Sequence, residues 1–139
     1  MENIDFSNKV QHILEYDDRY PAEVYNFVNA AVKYTIDRLE QNGSGRRRHI
    51  NARELLDGMT DFGKEQFGPL AWNVFAGWHF IRPADIGNVV FNLVKENLFA
   101  VSEEDSRRDF DLDYDLQQRL EAPFRHAPAD SRPEIPIIA

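Results

Sequence analysis

Residues 67–101, FGPLAWNVFAGWHFIRPADIGNVVFNLVKENLFAV, constrain the fold of this chain more than any other stretch. They contain both tryptophans, several phenylalanines and few charges. Burial stabilises a protein by roughly 25 cal/mol for each Å² of apolar surface removed from water. This stretch is therefore predicted to form the centre of the core. The side chains expected to be most buried are Phe62, Val74, Trp78, Val90 and Leu93.

Length and composition indicate one globular domain. The chain has 139 residues, of which 42% are hydrophobic and 12% aromatic, enough for a sizeable core. No apolar run approaches the ~18–20 residues that span a bilayer, and MENIDFSNKV has no secretory signal features. The sequence has no cysteine, which removes disulfide and thiolate chemistry. These observations predict a cytoplasmic location and no membrane partner.

Helical periodicity dominates the chain up to Asn97, which is placed as a helix cap. Pro21 suits the first position of a helix. Asn51 and Glu54 have the spacing of a capping box, which marks the start of the next helix. Pro83 begins another helix. The apolar stripe of the helix after Pro21 consists of Val24, Phe27, Val28, Ala31, Thr35 and Leu39.

The run DFDLDYDL, residues 109–116, alternates strictly between aspartates and apolar side chains. The apolar positions are Phe110, Leu112, Tyr114 and Leu116. A period of two residues with aromatics predicts a strand with one wet face. Residues 98–101 form a short apolar run. The two runs are therefore predicted to pair as an antiparallel hairpin.

This order of elements is that of a winged helix, in which a two-stranded hairpin follows a helix-turn-helix. The predicted fold class is mainly α (α+β), a helical domain with a winged-helix-like unit at about 50–116 and a helical cover at 6–40. Residues 1–121 are expected to form one domain, and 122–139 a proline-rich extended tail. The alternative is a plain helical bundle with an irregular C-terminal arm.

The segments RHINARELLDGM, FGPLAWNVFAGWHF, DIGNVVFNLVKENLF and EEDSRRDFDLDYDL mark a match over roughly residues 49–116, with weaker similarity along residues 24–39. Over this range the chain resembles the Verruc_Plancto-restricted proteins, a family of short bacterial proteins. Ala52 and Leu116 stand where family members typically carry glycine and phenylalanine. The resemblance implies no activity, cofactor or catalytic residue. It supports the boundaries of the unit and leaves the function open.

Nucleic-acid binding is one function that a winged helix suggests. The third helix offers Asn88, Asn92 and Lys95, which we predict to point away from the core. The net charge of −8 opposes binding to phosphate. So does the predicted wing, where residues 103–115 contain seven acids and two arginines. Phosphate contacts would fall to the basic loop residues Arg46, Arg47 and Arg48.

Metal binding and catalysis have weaker signals. Asp109, Asp111 and Asp113 resemble the opening of an EF-hand loop, but Tyr114 and Leu120 stand where glycine and glutamate are required. Weak divalent-cation binding by the run 109–115 stays an alternative. The four histidines are scattered, no catalytic residue or cofactor is predicted, and His79 is interpreted as a hydrogen-bonded structural residue.

Protein interaction is the function that the sequence favours. Phe91 lies off the apolar stripe of its helix and is a candidate contact residue. In the tail, EIPIIA contains Ile137 and Ile138 beside Pro136, in a segment too short to build its own core. An acidic, non-catalytic module that binds a protein partner or a second copy of itself is therefore predicted. Its candidate contacts are Phe91, Asn88, Asn92, Arg46, Arg47, Arg48, Asp109, Asp111, Asp113, Ile137 and Ile138.

Overall fold

The structure, a computed structural model, describes residues 2–41, 50–100 and 107–125. Six α-helices occupy most of these ranges: α1 (Glu2–Tyr16), α2 (Ala22–Leu39), α3 (Ala52–Phe67), α4 (Ala71–Gly77), α5 (Pro83–Lys95) and α6 (Leu116–Arg125). Short 3-10 helices, Gly68–Leu70 and Arg107–Phe110, precede α4 and α6. None of the described residues is in a strand.

The start of α3 is the local structure that the sequence predicts best. The Asn51 side chain accepts a hydrogen bond from the Glu54 N–H at 2.7 Å, and the Glu54 carboxylate accepts one from the Asn51 N–H at 3.0 Å. This reciprocal pair satisfies two donors at the helix end. The predicted capping box is confirmed. Pro21, by contrast, occupies the N-cap of α2 and not its first helical position.

Helix α2 lies at the centre of the fold, packed against α1, α3 and α5. Its predicted apolar stripe is buried except for Leu39, which is half-buried. The contact with α3 is close: a Cβ atom at Gly58 would lie 1.8 Å from Thr35 Oγ1. Only glycine fits there without displacing α2, which explains a residue that otherwise weakens a helix interior.

An aromatic cluster joins α2, α3 and α4. Phe27 of α2 lies 5.3 Å from Phe75, 5.3 Å from Phe62 and 5.5 Å from Trp78, measured between ring centres. Such separations are typical of favourable aromatic pairs. Phe27 is 7% exposed and Phe75 fully buried. The core is therefore shared between α2 and the stretch 67–101.

The predicted list of most buried residues is partly wrong. Val90 and Leu93 are buried, as expected, but Phe62, Val74 and Trp78 are only half-buried. Helix α4 has seven residues, and Ala71 and Phe75, four positions apart, form its buried face. The other apolar side chains of α4 point to its flanks, since only one face of a two-turn helix meets the core.

The predicted hairpin is wrong, and the winged-helix-like unit loses its wing. Leu98 and Phe99 donate their N–H groups to the Leu93 carbonyl, at 2.9 and 3.4 Å, in the turn that ends α5. Their backbone is therefore committed to a helix terminus. Phe110 ends a 3-10 helix, and residues 111–115 have no regular secondary structure. Val101 lies outside the described residues.

Both α4 and α5 end in a turn with a residue of positive φ, His79 (φ 60°) and Asn97 (φ 61°). After α4, the Phe80 N–H donates to the Phe75 carbonyl and the His79 N–H to the Ala76 carbonyl, the pattern of a Schellman motif. His79 is exposed, so its interpretation as a hydrogen-bonded structural residue gains no support from its side chain. Its backbone conformation is one that glycine adopts without steric cost.

His79→Gly is therefore expected to raise the free energy of unfolding by about 1 kcal/mol. The left-handed conformation costs an L-residue roughly 1–2 kcal/mol, which glycine avoids, but the greater entropy of glycine in the unfolded state cancels part of this gain. Urea denaturation measures the difference. Asn97→Gly is the matched control and should gain less, since asparagine tolerates this conformation. A loss of stability in His79→Gly would show that the imidazole makes a stabilising contact.

Candidate functional site

One face of α5 is polar and buried against the corner between α1 and α2. Its residues, Asp85, Asn88, Asn92 and Glu96, are spaced three or four apart and lie on one side of the helix. We call them the polar face of α5. Each makes a hydrogen bond to a side chain of residues 12–25.

Asp85 begins this face. One carboxylate oxygen accepts the Tyr20 hydroxyl at 2.7 Å, and the other accepts the backbone N–H groups of Ile81 and Arg82 at 3.0 and 2.9 Å. Burial alone would raise the pKa of Asp85, but these hydrogen bonds outweigh it and lower the pKa. The Tyr20 hydroxyl also accepts from Asn88 at 3.0 Å. Asp85 is thus an ionised cap that ties the start of α5 to the turn before α2.

Asn92 continues the polar face and is 1% exposed. Its side-chain amide donates to Asp17 at 2.8 Å and to the Tyr25 hydroxyl at 3.1 Å. Glu96 then accepts from Tyr16 at 3.3 Å and lies 2.8 Å from His12 Nδ1. The prediction that Asn88 and Asn92 point away from the core is wrong, because the α1–α2 corner covers them.

An open cleft of about 360 Å³ lies beside this corner, lined by Tyr16, Asp17, Asp18, Arg19, Asn92 and Lys95. Arg19 forms two side-chain hydrogen bonds to Asp17, at 2.9 and 2.7 Å. These bonds hold the pKa of Asp17 well below its usual range. The charges of Asp17 and Arg19 therefore neutralise each other, which is typical of residues that stabilise a turn.

The acidic segment, residues 109–115, is held on the surface by two aromatic side chains. Phe110 is buried against α5, where a Cβ atom at Gly87 would lie 3.0 Å from the phenylalanine ring. Tyr114 is buried against α3. Leu112, between them, is 36% exposed. Of the four apolar positions of the run, Phe110, Tyr114 and Leu116 are therefore buried among helices, and Leu112 is exposed.

Tyr114 makes the most elaborate of these contacts. Its hydroxyl donates to Asp57 at 2.7 Å, and Asp57 also accepts from Arg119 at 2.6 Å. The guanidinium groups of Arg53 and Arg119 lie 5.1 and 5.2 Å from the tyrosine ring centre, within cation–π range. Burial raises the pKa of Tyr114 to about 12, and the bond to Asp57 adds to this. Tyr114 therefore stays neutral and fixes the end of the segment.

A groove of about 470 Å³ runs beside the end of this segment. We call it the acidic groove, and it is lined by Trp72, Ile81, Arg82, Pro83 and residues 113–117. Ile81 is 41% exposed, while Asp113 and Asp115 are exposed carboxylates on the opposite element. Asp115 also accepts the Gln118 N–H at 3.0 Å, near the start of α6. The groove combines apolar surface with negative charge.

The structure brings together only part of the predicted site. Asp111 and Asp113 are exposed and Asp109 is half-buried. Phe91 is half-buried and packs against the core. Arg46, Arg47 and Arg48 in the basic loop, and Ile137 and Ile138 in the tail, lie outside the described residues. Of the predicted residues that the structure describes, only Asp113 lines the acidic groove.

Two alternative site types have little geometric support in the described ranges. No three His, Asp or Glu side chains there are gathered closely enough to hold a metal ion. The face of α5 that was considered for reading bases is occupied, since Asn92 is buried and Asn88 is bonded to Tyr20. The helices that the structure describes are each too short or too polar to cross a bilayer.

Sequence reasoning missed Trp72, Ile81 and Tyr114 as residues of the site. Trp72 and Ile81 were assigned to the centre of the fold because they lie within the apolar stretch. Ile81 follows the turn at His79, which was a usable signal that its side chain lies at an element boundary. Tyr114 carried no functional signal, because its partner Asp57 is distant in the sequence.

Comparison of the chain with family models, with curated proteins and with solved structures found no match. The resemblance to the Verruc_Plancto-restricted proteins therefore stays a prediction.

Proposed function

We propose that this protein is a non-catalytic interaction module that binds a segment of a partner protein in the acidic groove. The observation that carries the proposal is the exposure of Ile81, at 41%, beside Trp72 and opposite Asp113. A groove that combines an aliphatic and an aromatic side chain with flanking charges is typical of a recognition site. In such a site, apolar contacts provide affinity and polar groups orient the ligand.

The way the groove is built supports this proposal. Its two walls come from distant parts of the sequence, residues 72–83 and residues 113–117. The second wall is held by Tyr114 and its bond to Asp57, and the first by Asp85, which fixes the start of α5. A groove whose walls are held in this way binds with a smaller entropic cost than a flexible one.

Ile81→Ser is expected to weaken binding about tenfold, because losing roughly 1.5 kcal/mol of side-chain burial corresponds to a factor of about ten in affinity. Peptides are first selected from a random display library on the immobilised wild-type protein. Their dissociation constants for both proteins are then measured by calorimetry. Ile81 is exposed, so the substitution should leave the fold intact, which circular dichroism checks.

Leu70→Ser is the matched control, because Leu70 is 62% exposed and does not line the groove. It should leave the dissociation constants unchanged. Equal weakening by both substitutions would show that binding is non-specific. A library that yields no peptide above background would contradict the proposed function. Selection of peptides whose binding ignores Ile81→Ser would place the site elsewhere.

A further inference from the structure

The charges that line the acidic groove favour a cationic side chain in its ligand. Arg82 lines the groove, but its guanidinium is 3.3 Å from the Asp85 carboxylate, which balances its positive charge. Asp113 and Asp115 remain as two negative groups on the other wall. Within the described residues, Asp113 makes no hydrogen bond or ion pair. The groove therefore presents an unmatched carboxylate to whatever enters it.

Trp72 supplies a second and independent preference. In the described parts of the chain the cations that lie over aromatic rings use tyrosines: Tyr16, Tyr20, Tyr34 and Tyr114. The half-buried Trp72 indole, in contrast, lines the groove, and no cation among the described residues lies over it. Tryptophan is the aromatic side chain that attracts a cation most strongly. The Trp72 indole and the Asp113 carboxylate therefore both favour a cationic group in the ligand.

From these two observations we infer that the ligand segment presents an arginine to Trp72 and Asp113, with an aliphatic neighbour packed on Ile81 and Pro83. This inference rests on the proposed function and names the chemistry of its ligand. The planar guanidinium stacks on an aromatic face and forms paired hydrogen bonds with a carboxylate, and it is less strongly hydrated than the lysine ammonium. Arginine is therefore preferred to lysine.

The test uses the ¹⁵N-labelled full chain and the peptide probe acetyl-Ile-Arg-Ile-amide. The indole N–H signals of the two tryptophans are followed by NMR, and the spectrum of Trp72→Phe assigns the signal of Trp72. The arginine probe is expected to shift this signal in a saturable way at millimolar concentration. The same peptide with citrulline, which has the shape of arginine without its charge, should bind at least about tenfold more weakly.

Asp113→Asn should weaken the arginine probe by about three- to tenfold and leave the citrulline probe unchanged. Asp111→Asn is the matched control, because Asp111 is an exposed carboxylate of the same segment that does not line the groove. Equal affinity for arginine and citrulline would overturn the inference and leave the proposed function standing. No shift of the Trp72 signal with either probe would overturn both.

Discussion

Leu93→Ala is expected to lower the free energy of unfolding by about 2–5 kcal/mol, the range measured for leucine-to-alanine changes in rigid cores. Leu93 is 0% exposed and belongs to the hydrophobic core, and its helix α5 packs against α2. Its carbonyl also accepts the hydrogen bonds that close the turn after α5. Urea denaturation measures the loss.

Val94→Ala is the matched control, because Val94 is the next residue of the same helix and is only half-buried. It removes fewer atoms from a site that faces solvent in part, so its cost should be smaller by at least about 1 kcal/mol. A loss below about 1 kcal/mol for Leu93→Ala would contradict the assignment of Leu93 to the core.

Asp85→Ala is expected to destabilise the protein by about 3 kcal/mol, because each buried polar group left without a partner costs roughly 1–3 kcal/mol. The substitution leaves the Tyr20 O–H and the backbone N–H groups of Ile81 and Arg82 without their acceptor, although Asn88 still donates to the Tyr20 oxygen. Tyr20 is 3% exposed, so water cannot readily replace the carboxylate. Tyr20→Phe should cost less, since it leaves Asp85 with its two backbone donors.

The same carboxylate makes stability depend on pH in a defined direction. Its pKa is lower in the folded protein than the ordinary value near 3.9. The stability it contributes is therefore complete above about pH 4 and is lost as the pH falls from there through the folded-state pKa. Urea denaturation between pH 7 and pH 2 should show this loss, with Asp17 contributing in the same direction.

Asp85→Asn tests the assignment, because the amide keeps the shape of the carboxylate and does not titrate in this range. Its stability should be lower than that of the wild type at pH 7 and should fall less between pH 4 and pH 2. If Asp85→Asn keeps the full acid dependence of the wild type, the carboxylate of Asp85 does not carry it.

The acidic segment illustrates why the candidate site was only partly predictable. The aspartates were expected to be exposed, and Asp111 and Asp113 are. Their period of two indicated a strand, but a strand needs a partner with unused backbone groups. The backbone N–H groups of Leu98 and Phe99 already form hydrogen bonds to the Leu93 carbonyl at the end of α5. The segment therefore packs through Phe110 and Tyr114 on helices, and Trp72 and Ile81 become part of the groove.

The sequence alone determined the features that depend on neighbours within about four residues. The capping box of Asn51 and Glu54, the start of α5 at Pro83 and the apolar stripe of α2 are of this kind, since helix ends and helix faces are set by local spacing. Only the tertiary structure decided what covers each face. In the sequence, the polar face of α5 has the pattern of a solvent-exposed surface, but in the structure it is buried. Its partners Asp17, Tyr20 and Tyr25 are about 65 to 75 residues away in the chain. The sequence could not predict this burial, because no local pattern encodes a hydrogen bond at that separation.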